Sequence, residues 1–193
     1  MQLFDLLTKE QRNNCQIFHL NKDEILFHED DECDEVGIVL KGNISIVSYS
    51  LSGTEIIYNN LKEGQMFGNN LLFSSHPFYK GNVIAKEKSE VVVIEKRTLL
   101  SFFSENEEFL IAYLKYSSDF SKTLNNQIKL LSFDSAEERL LYFLKDQKSI
   151  KIKSVSSLAK SLFLSREATS RLLTKMKKEG KIMRKGNIIE LLK

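Results

Sequence analysis

Between about Asn21 and Glu95 the apolar residues come in short runs broken at glycines. EILFHE, VGIVL, ISIVSYS, EIIYNNL, NVIAKE and VVVIE are rich in β-branched and aromatic residues and partly alternate, the pattern of strands that cover one face. KGN at 41–43, SGT at 52–54 and KEG at 62–64 lie between them. Each glycine supplies the positive φ that a tight hairpin turn requires. Short strands at this spacing predict a small antiparallel barrel or jelly roll.

The texture changes at Glu105. From there to Leu131 glycine and proline vanish, and Phe109, Tyr113, Tyr116, Phe120, Leu124, Ile128 and Leu131 recur every three or four residues. The spacing predicts one helix of about 27 residues, about 40 Å long. Leu110, Ile111 and Leu114 thicken the stripe at its start. Phe109, Tyr113, Tyr116, Phe120, Leu124 and Ile128 are the expected dimerisation residues, with one side of the helix on the barrel and the other against a second copy, and a merely buried core helix as the alternative.

Beyond Leu131 the period stays helical but the segments shorten. In SFDSAEERLLYFL, Ser135 and Glu138 make a capping box for a helix with Leu140, Phe143 and Leu144 inward. In SVSSLAKSLFL, Ser154 caps a short helix carrying Leu158, Ala159 and Leu162. A turn at Phe163 to Ser165 leads into SREATSRLLTKM at 165–176, where Ala168, Leu172 and Met176 share one face. Arg166, Glu167, Ser170 and Arg171 fall largely off that face. KIMRKGNIIELL then reads as two short strands around a Gly186–Asn187 turn. Three helices and a hairpin predict a winged helix-turn-helix. The fold class is α+β, and the expected domains are 1–104, 105–132 and 133–193.

Charge sharpens this division. Residues 1–104 carry ten basic and fifteen acidic side chains, whereas residues 133–193 carry fifteen basic and seven acidic ones. A basic end on an acidic body points to a polyanion at one end only, unless the lysines merely solvate the surface. With 42% hydrophobic residues in 193, the chain can bury a proper core. Its apolar runs are too short to cross a bilayer and its start does not read as a signal peptide, so the expected location is cytoplasmic, away from membranes. Cys15 and Cys33 build no disulfide framework and cannot supply four thiolates to a cluster.

The order of these segments resembles the Crp/Fnr transcription regulators. The resemblance is carried by SLAKSLFLSREATSRLLTKMKKEGKI and the RKGN hairpin, and by ILFHEDDECDEVGIVLKGNISIV and EGQMFGNNLLF in the first part. It implies a cyclic-nucleotide-binding-type β-roll, a dimerisation helix and a winged helix that together bind double-stranded DNA as a homodimer, with RNA polymerase as a further partner. Arg166, Glu167, Ser170 and Arg171 then occupy the base-reading positions. The chemistry agrees: an Arg fork donates to guanine O6 and N7, Glu accepts from the cytosine amino group, and Ser contacts phosphate or a base edge. The E-x-x-S-R spacing looks like the reader of TTGA-like half-sites, and Arg166 adds a feature of TGTGA readers. An inverted repeat with TGA and TCA cores is expected. Ser154, Ser156, Lys160, Ser165, Lys175, Lys177, Lys185 and Asn187 are candidates for phosphate contacts. Phe163 stands where the family usually has glycine, so either the turn differs or the residue accepts strain in exchange for burial.

For the sensor half, the resemblance places an effector pocket at Phe67, Gly68, Asn69, Leu71, Tyr79 and Lys80. Relatives that bind cyclic AMP have Phe-Gly-Glu at the cassette start and Arg-Ser at its end. Here Asn69 replaces the Glu, and Tyr79 and Lys80 stand at the Arg-Ser positions, so the bidentate anion clamp is missing and cyclic AMP is not expected. The roll also resembles a cupin barrel, but His19, His28 and His76 are scattered, which argues against metal catalysis and an enzyme. A haem stays open, since one His or the N-terminus can ligate iron between apolar walls. Redox or nitrosative sensing, or activity without any effector, stays open too, and Cys15 and Cys33 act as thiol sensors only if exposed at low pKa. The rival function is a small-molecule sensor that acts through a protein partner, with the basic end as a solvated surface.

Overall fold

The computed structural model describes residues 3–145 and 149–192. The chain packs into two units, residues 1–119 and 120–193, and is taken here unit by unit.

The first unit opens with a 3-10 turn at Leu3–Leu6 and a short helix α1 (Lys9–Asn13). Eight strands follow: β1 (Gln16–Leu20), β2 (Ile25–Phe27), β3 (Glu35–Lys41), β4 (Asn43–Tyr49), β5 (Glu55–Lys62), β6 (Met66–Phe67), β7 (Asn82–Ala85) and β8 (Ser89–Glu95). They form two antiparallel four-stranded sheets, ordered β1-β8-β3-β6 and β2-β7-β4-β5. The predicted β-roll is present. Strands β1 and β6 were not predicted.

The continuous run Val91–Ile94 is covered on both sides, which is why it does not alternate with polar residues. Val91 and Val93 face inward with Leu20, Val39, Ile44, Leu61, Phe67, Tyr79 and Val83. Val92 and Ile94 face the other way, against α2 (Lys96–Glu105) and α3 (Glu107–Leu131), meeting Leu99, Phe102, Phe109 and Tyr113. Pleating sends neighbours on a strand to opposite faces, so one strand serves two cores.

The long helix forms, but it starts at Glu107 after a break. Asn106 makes the break: its Oδ1 accepts from Phe109 N–H at 3.0 Å, and its Nδ2 donates to the Leu6 carbonyl at 3.0 Å and Gln11 Oε1 at 3.2 Å. That cap separates α2 from α3 and pins the N-terminal segment to both.

The assignment of the helix stripe to a second copy needs correction at its first half. Phe109 and Tyr113 are buried against the chain's own β-roll, and half-buried Tyr116 accepts the Met66 N–H through its hydroxyl at 2.8 Å. Half-buried Phe120 is the next in that row, while Leu124 and Ile128 are exposed. Two apolar rows run side by side along the helix, about 100° apart, and the row used in the first half belongs to the roll. The row left open holds Leu114, Leu124, Ile128 and Leu131, with Ile111 beside it.

In the second unit, α4 (Ala136–Leu144) has the predicted capping box of Ser135 and Glu138. Then come β9 (Ser149–Lys151), α5 (Val155–Leu162), α6 (Arg166–Lys178), β10 (Ile182–Lys185) and β11 (Ile188–Leu191). The strand β9 was not predicted; it joins the hairpin in a sheet ordered β10-β11-β9. Leu140, Leu144, Leu158, Leu162, Leu173, Met176, Ile182 and Ile189 form the core. Fully burying a Leu-sized side chain contributes about 1.5–3 kcal/mol.

Phe163 ends α5 in the left-handed conformation, φ 55 and ψ 44. The strain expected for a non-glycine residue there, about 1–2 kcal/mol, is therefore present. The burial expected in exchange is not, because Phe163 is 44% exposed. The next residue, Leu164, is the one that packs on the core.

Candidate nucleic-acid interface

Helix α6 begins at the N-cap Ser165, whose hydroxyl accepts from Ala168 N–H at 3.1 Å. Thr169, Leu172, Leu173 and Met176 are buried beneath it, and Ala168 is half-buried. Arg166, Glu167, Ser170 and Arg171 all stand exposed on the remaining face, so one row of the helix packs and the other is open to solvent.

The cations around this helix fall into two groups. Lys175 pairs with Glu137 of α4 at 3.3 Å and with Glu179 at 3.7 Å. Lys181 pairs with the same two carboxylates, at 2.8 Å for Glu179 and closer still for Glu137. These hydrogen bonds hold the Glu137 carboxyl below its usual range and the Lys181 ammonium above its own. Among the described residues, no carboxylate lies within ion-pair distance of Arg166, Arg171, Lys177, Arg184 or Lys185. Positive charge is neutralised on the side facing α4 and left unpaired on the exposed face, which gives a site for an external polyanion.

The candidate phosphate contacts divide in the same way. Ser156, Lys160, Lys185 and Asn187 are exposed. Ser154 and Ser165 are exposed too, but their hydroxyls are engaged as N-caps of α5 and α6. Lys175 is turned to its two carboxylates. Two residues were missed. Thr174 and Arg184 line, with Lys177, Leu173 and Gly186, a cleft of about 420 Å³ between α6 and the hairpin. The Arg184 Nε donates to the Gly186 carbonyl at 3.1 Å, which holds the guanidinium at the hairpin turn. Their spacing alone does not reveal them, because the cleft exists only after β10 folds back on α6.

Of the proposed effector-pocket residues, two are packed into the interior of the roll. Phe67 and Tyr79 are 2% and 1% exposed. Tyr79 stacks on Phe27 with centroids 5.0 Å apart, and Phe67 meets Phe27 edge-on at 6.2 Å. The Phe67 ring lies so close to Gly37 that a Cβ there would come within 1.9 Å of it. The Tyr79 hydroxyl donates to Glu35 Oε1 at 3.0 Å, so an acceptor, not a cation, sits at the end of this ring. Burial pushes the Glu35 carboxyl up, against the pull of that hydrogen bond. Gly68 takes φ 77, and a Cβ on it would meet the Glu35 carbonyl at 2.6 Å. Leu71 is half-buried beside this cluster, and Lys80 is exposed. Asn69 reaches α3 instead: its Nδ2 donates to Ser117 Oγ at 3.5 Å, and its carbonyl accepts from the Tyr113 hydroxyl at 3.5 Å.

The other candidates for sensing are also placed. His19, His28 and His76 are all exposed, so none presents an imidazole to the interior. No group of three or more His, Cys, Asp or Glu that could hold a metal ion occurs among the described residues. Burial pushes the Cys15 thiol up to about 11 and raises the buried Cys33 as well. Both stay protonated at neutral pH, the opposite of a reactive thiolate. No helix among the described residues is long and apolar enough to cross a membrane.

Residues 17–106 match the cyclic nucleotide-binding domain. No curated protein matches the chain. Among solved structures, a transcriptional regulator from Thermotoga maritima is 27% identical, covering 68% of this chain and 98% of its own, with a TM-score of 0.60. The Thermus thermophilus catabolite activator protein is 20% identical over 98% of this chain and 93% of its own, at 0.57. A CooA mutant from Carboxydothermus hydrogenoformans is 20% identical over 99% and 91%, at 0.66. Residues 17–106 thus carry a cyclic nucleotide-binding domain, and the chain shares its fold, a β-roll, a long helix and a C-terminal winged helix-turn-helix, with the catabolite activator protein and CooA structures.

Proposed function

We propose that the protein is a sequence-specific, DNA-binding transcription regulator that acts as a homodimer on an inverted repeat. The observation that carries this reading is the α6 face, where Arg166 and Arg171 stand exposed with no carboxylate partner among the described residues, while Lys175 and Lys181 are paired with Glu137 and Glu179. Arg171 and Glu167 suit guanine and cytosine edges of a TGA and TCA core. Ser156, Lys160, Lys177, Arg184 and Lys185 suit the flanking phosphates. RNA polymerase is the further partner and the cytoplasm the place of action. The reading involves no chemical conversion.

The dimer is supported by α3. Leu110, Leu114, Ser117, Ser121, Leu124, Ile128 and Leu131 follow one another at alternating steps of four and three, the spacing of a two-stranded coiled-coil seam. Pairing of two such helices would set the two reading helices about 34 Å apart, one turn of duplex.

A titration of duplex binding against salt tests the reading. The logarithm of the binding constant is expected to fall against the logarithm of salt concentration with a slope of several units, since each neutralised phosphate releases counterions. A slope near zero would return the protein to the alternative, a sensor that works through a protein partner.

The sensor half is read as responding to something other than cyclic AMP, or to no effector. Tyr79 and Phe67 occupy the interior, and Glu35 would repel a phosphate. Saturating cyclic AMP is therefore expected to leave the thermal midpoint unchanged, because only a ligand that binds the native state raises it. A saturable rise of several degrees would overturn this part of the reading.

A further inference from the structure

An exposed phenylalanine needs no explanation by itself. Phe163 is exposed and also left-handed, and among the described residues its ring meets no aromatic or cationic partner. The turn is closed by backbone: Phe163 N–H donates to the Lys160 carbonyl at 3.3 Å, and Leu164 N–H to the Ala159 carbonyl at 3.0 Å. Glycine would close it as well and without strain. The apolar contact that usually accompanies such a cap is made by Leu164.

The surroundings of the ring say what covers it. Lys160 lies three residues before it and Arg166 three residues after, both exposed, and neither meets a carboxylate among the described residues. Ser161 and Ser165 are exposed between them. A ring flanked along the chain by two exposed cations with no carboxylate partner among the described residues, and by two serines, complements a surface that is anionic and partly apolar. The sugar–phosphate backbone is such a surface, with phosphates for the cations and deoxyribose carbons for the ring. When a reading helix enters the major groove by its N-terminal residues and the preceding helix crosses the backbone, the turn between them rides over one strand.

We propose that Phe163 is a DNA-contacting residue, its ring lying on the deoxyribose of the strand gripped by Lys160 and Arg166. The proposal rests on the DNA-binding reading above and adds to it a sequence-independent apolar contact. The left-handed strain is kept because glycine, which would relieve it, has no ring to offer.

Phe163→Gly and Phe163→Asn test this, since both residues accept the left-handed conformation. The glycine variant is expected to melt a few degrees higher than the wild type. Both variants are expected to bind about 3- to 10-fold more weakly, and equally so on matched and scrambled duplexes. Variants that bind both duplexes as tightly as the wild type would overturn the proposal and leave the DNA-binding reading standing. A loss confined to the matched duplex would also overturn it, by moving the ring to a base edge. A wild type without salt-dependent duplex binding would instead remove the reading on which it rests.

Discussion

Leu124→Glu combined with Ile128→Glu is expected to give a monomer whose affinity for an inverted repeat is about 10²- to 10⁴-fold lower than that of the wild type. Both residues lie on the open row of α3, at 41% and 65% exposure. Within one chain they stabilise little, so each unit is expected to stay folded by circular dichroism. In a pair of helices they face their own copies, and each substitution sets two carboxylates against each other in a seam that excludes water. Affinity falls because the second half-site is no longer held at high effective concentration by the first. Light scattering reports the mass and a mobility-shift assay on full and half repeats reports the affinity. A double variant that stays dimeric would rule out this seam. A monomer that binds the full repeat with undiminished affinity would rule out the two-fold reading.

Arg171→Ala is expected to weaken binding to the matched repeat by about 1–3 kcal/mol, or about 5- to 150-fold, and to relax one base position per half-site. The guanidinium stands exposed on α6 with no ion pair to give up among the described residues, so the fold should not suffer. Lys185→Ala supplies the contrast, because a phosphate contact carries no sequence information. Its loss should weaken matched and scrambled duplexes alike and reduce the salt slope by about one unit. Equal losses for Arg171→Ala on both duplexes would remove Arg171 from the base-reading set. The two variants together separate positioning from specification, which binding by the wild type alone does not.

What could be read from the chain was set by how local its cause is. Helices α4 and α5 were legible because their caps are written within four residues, Ser135 with Glu138 and Ser154 with Ser157, and α6 because Ala168, Leu172 and Met176 fall on one face. Helix α2 was not. It follows β8 directly, its N-cap Glu95 makes no side-chain cap, and it buries only Leu99 and Phe102. Strand β1 escaped for a similar reason, since Leu20 is its one buried residue. The α3 stripe was seen but divided wrongly, because two rows one residue apart have the same period and only the roll decides which one it takes. The site shows the same limit. The exposed face of α6 follows from helical period alone, whereas the neutralisation of Lys175 depends on Glu137, 38 residues away. That Tyr79 brings no cation to its position was legible from the residue itself. That its hydroxyl would find Glu35, 44 residues back, was not.

Strand β8 acts as a party wall between two rooms. Val91 and Val93 furnish the roll interior and Val92 and Ile94 the helix layer, so neither side can be enlarged without pushing into the other. A bulkier residue at Phe67 or Tyr79 would lean on the wall and crowd Phe109 and Tyr113, which seat the start of the long helix. Volume changes tolerated in this protein should therefore come in opposite pairs, a gain on one side of β8 matched by a loss on the other.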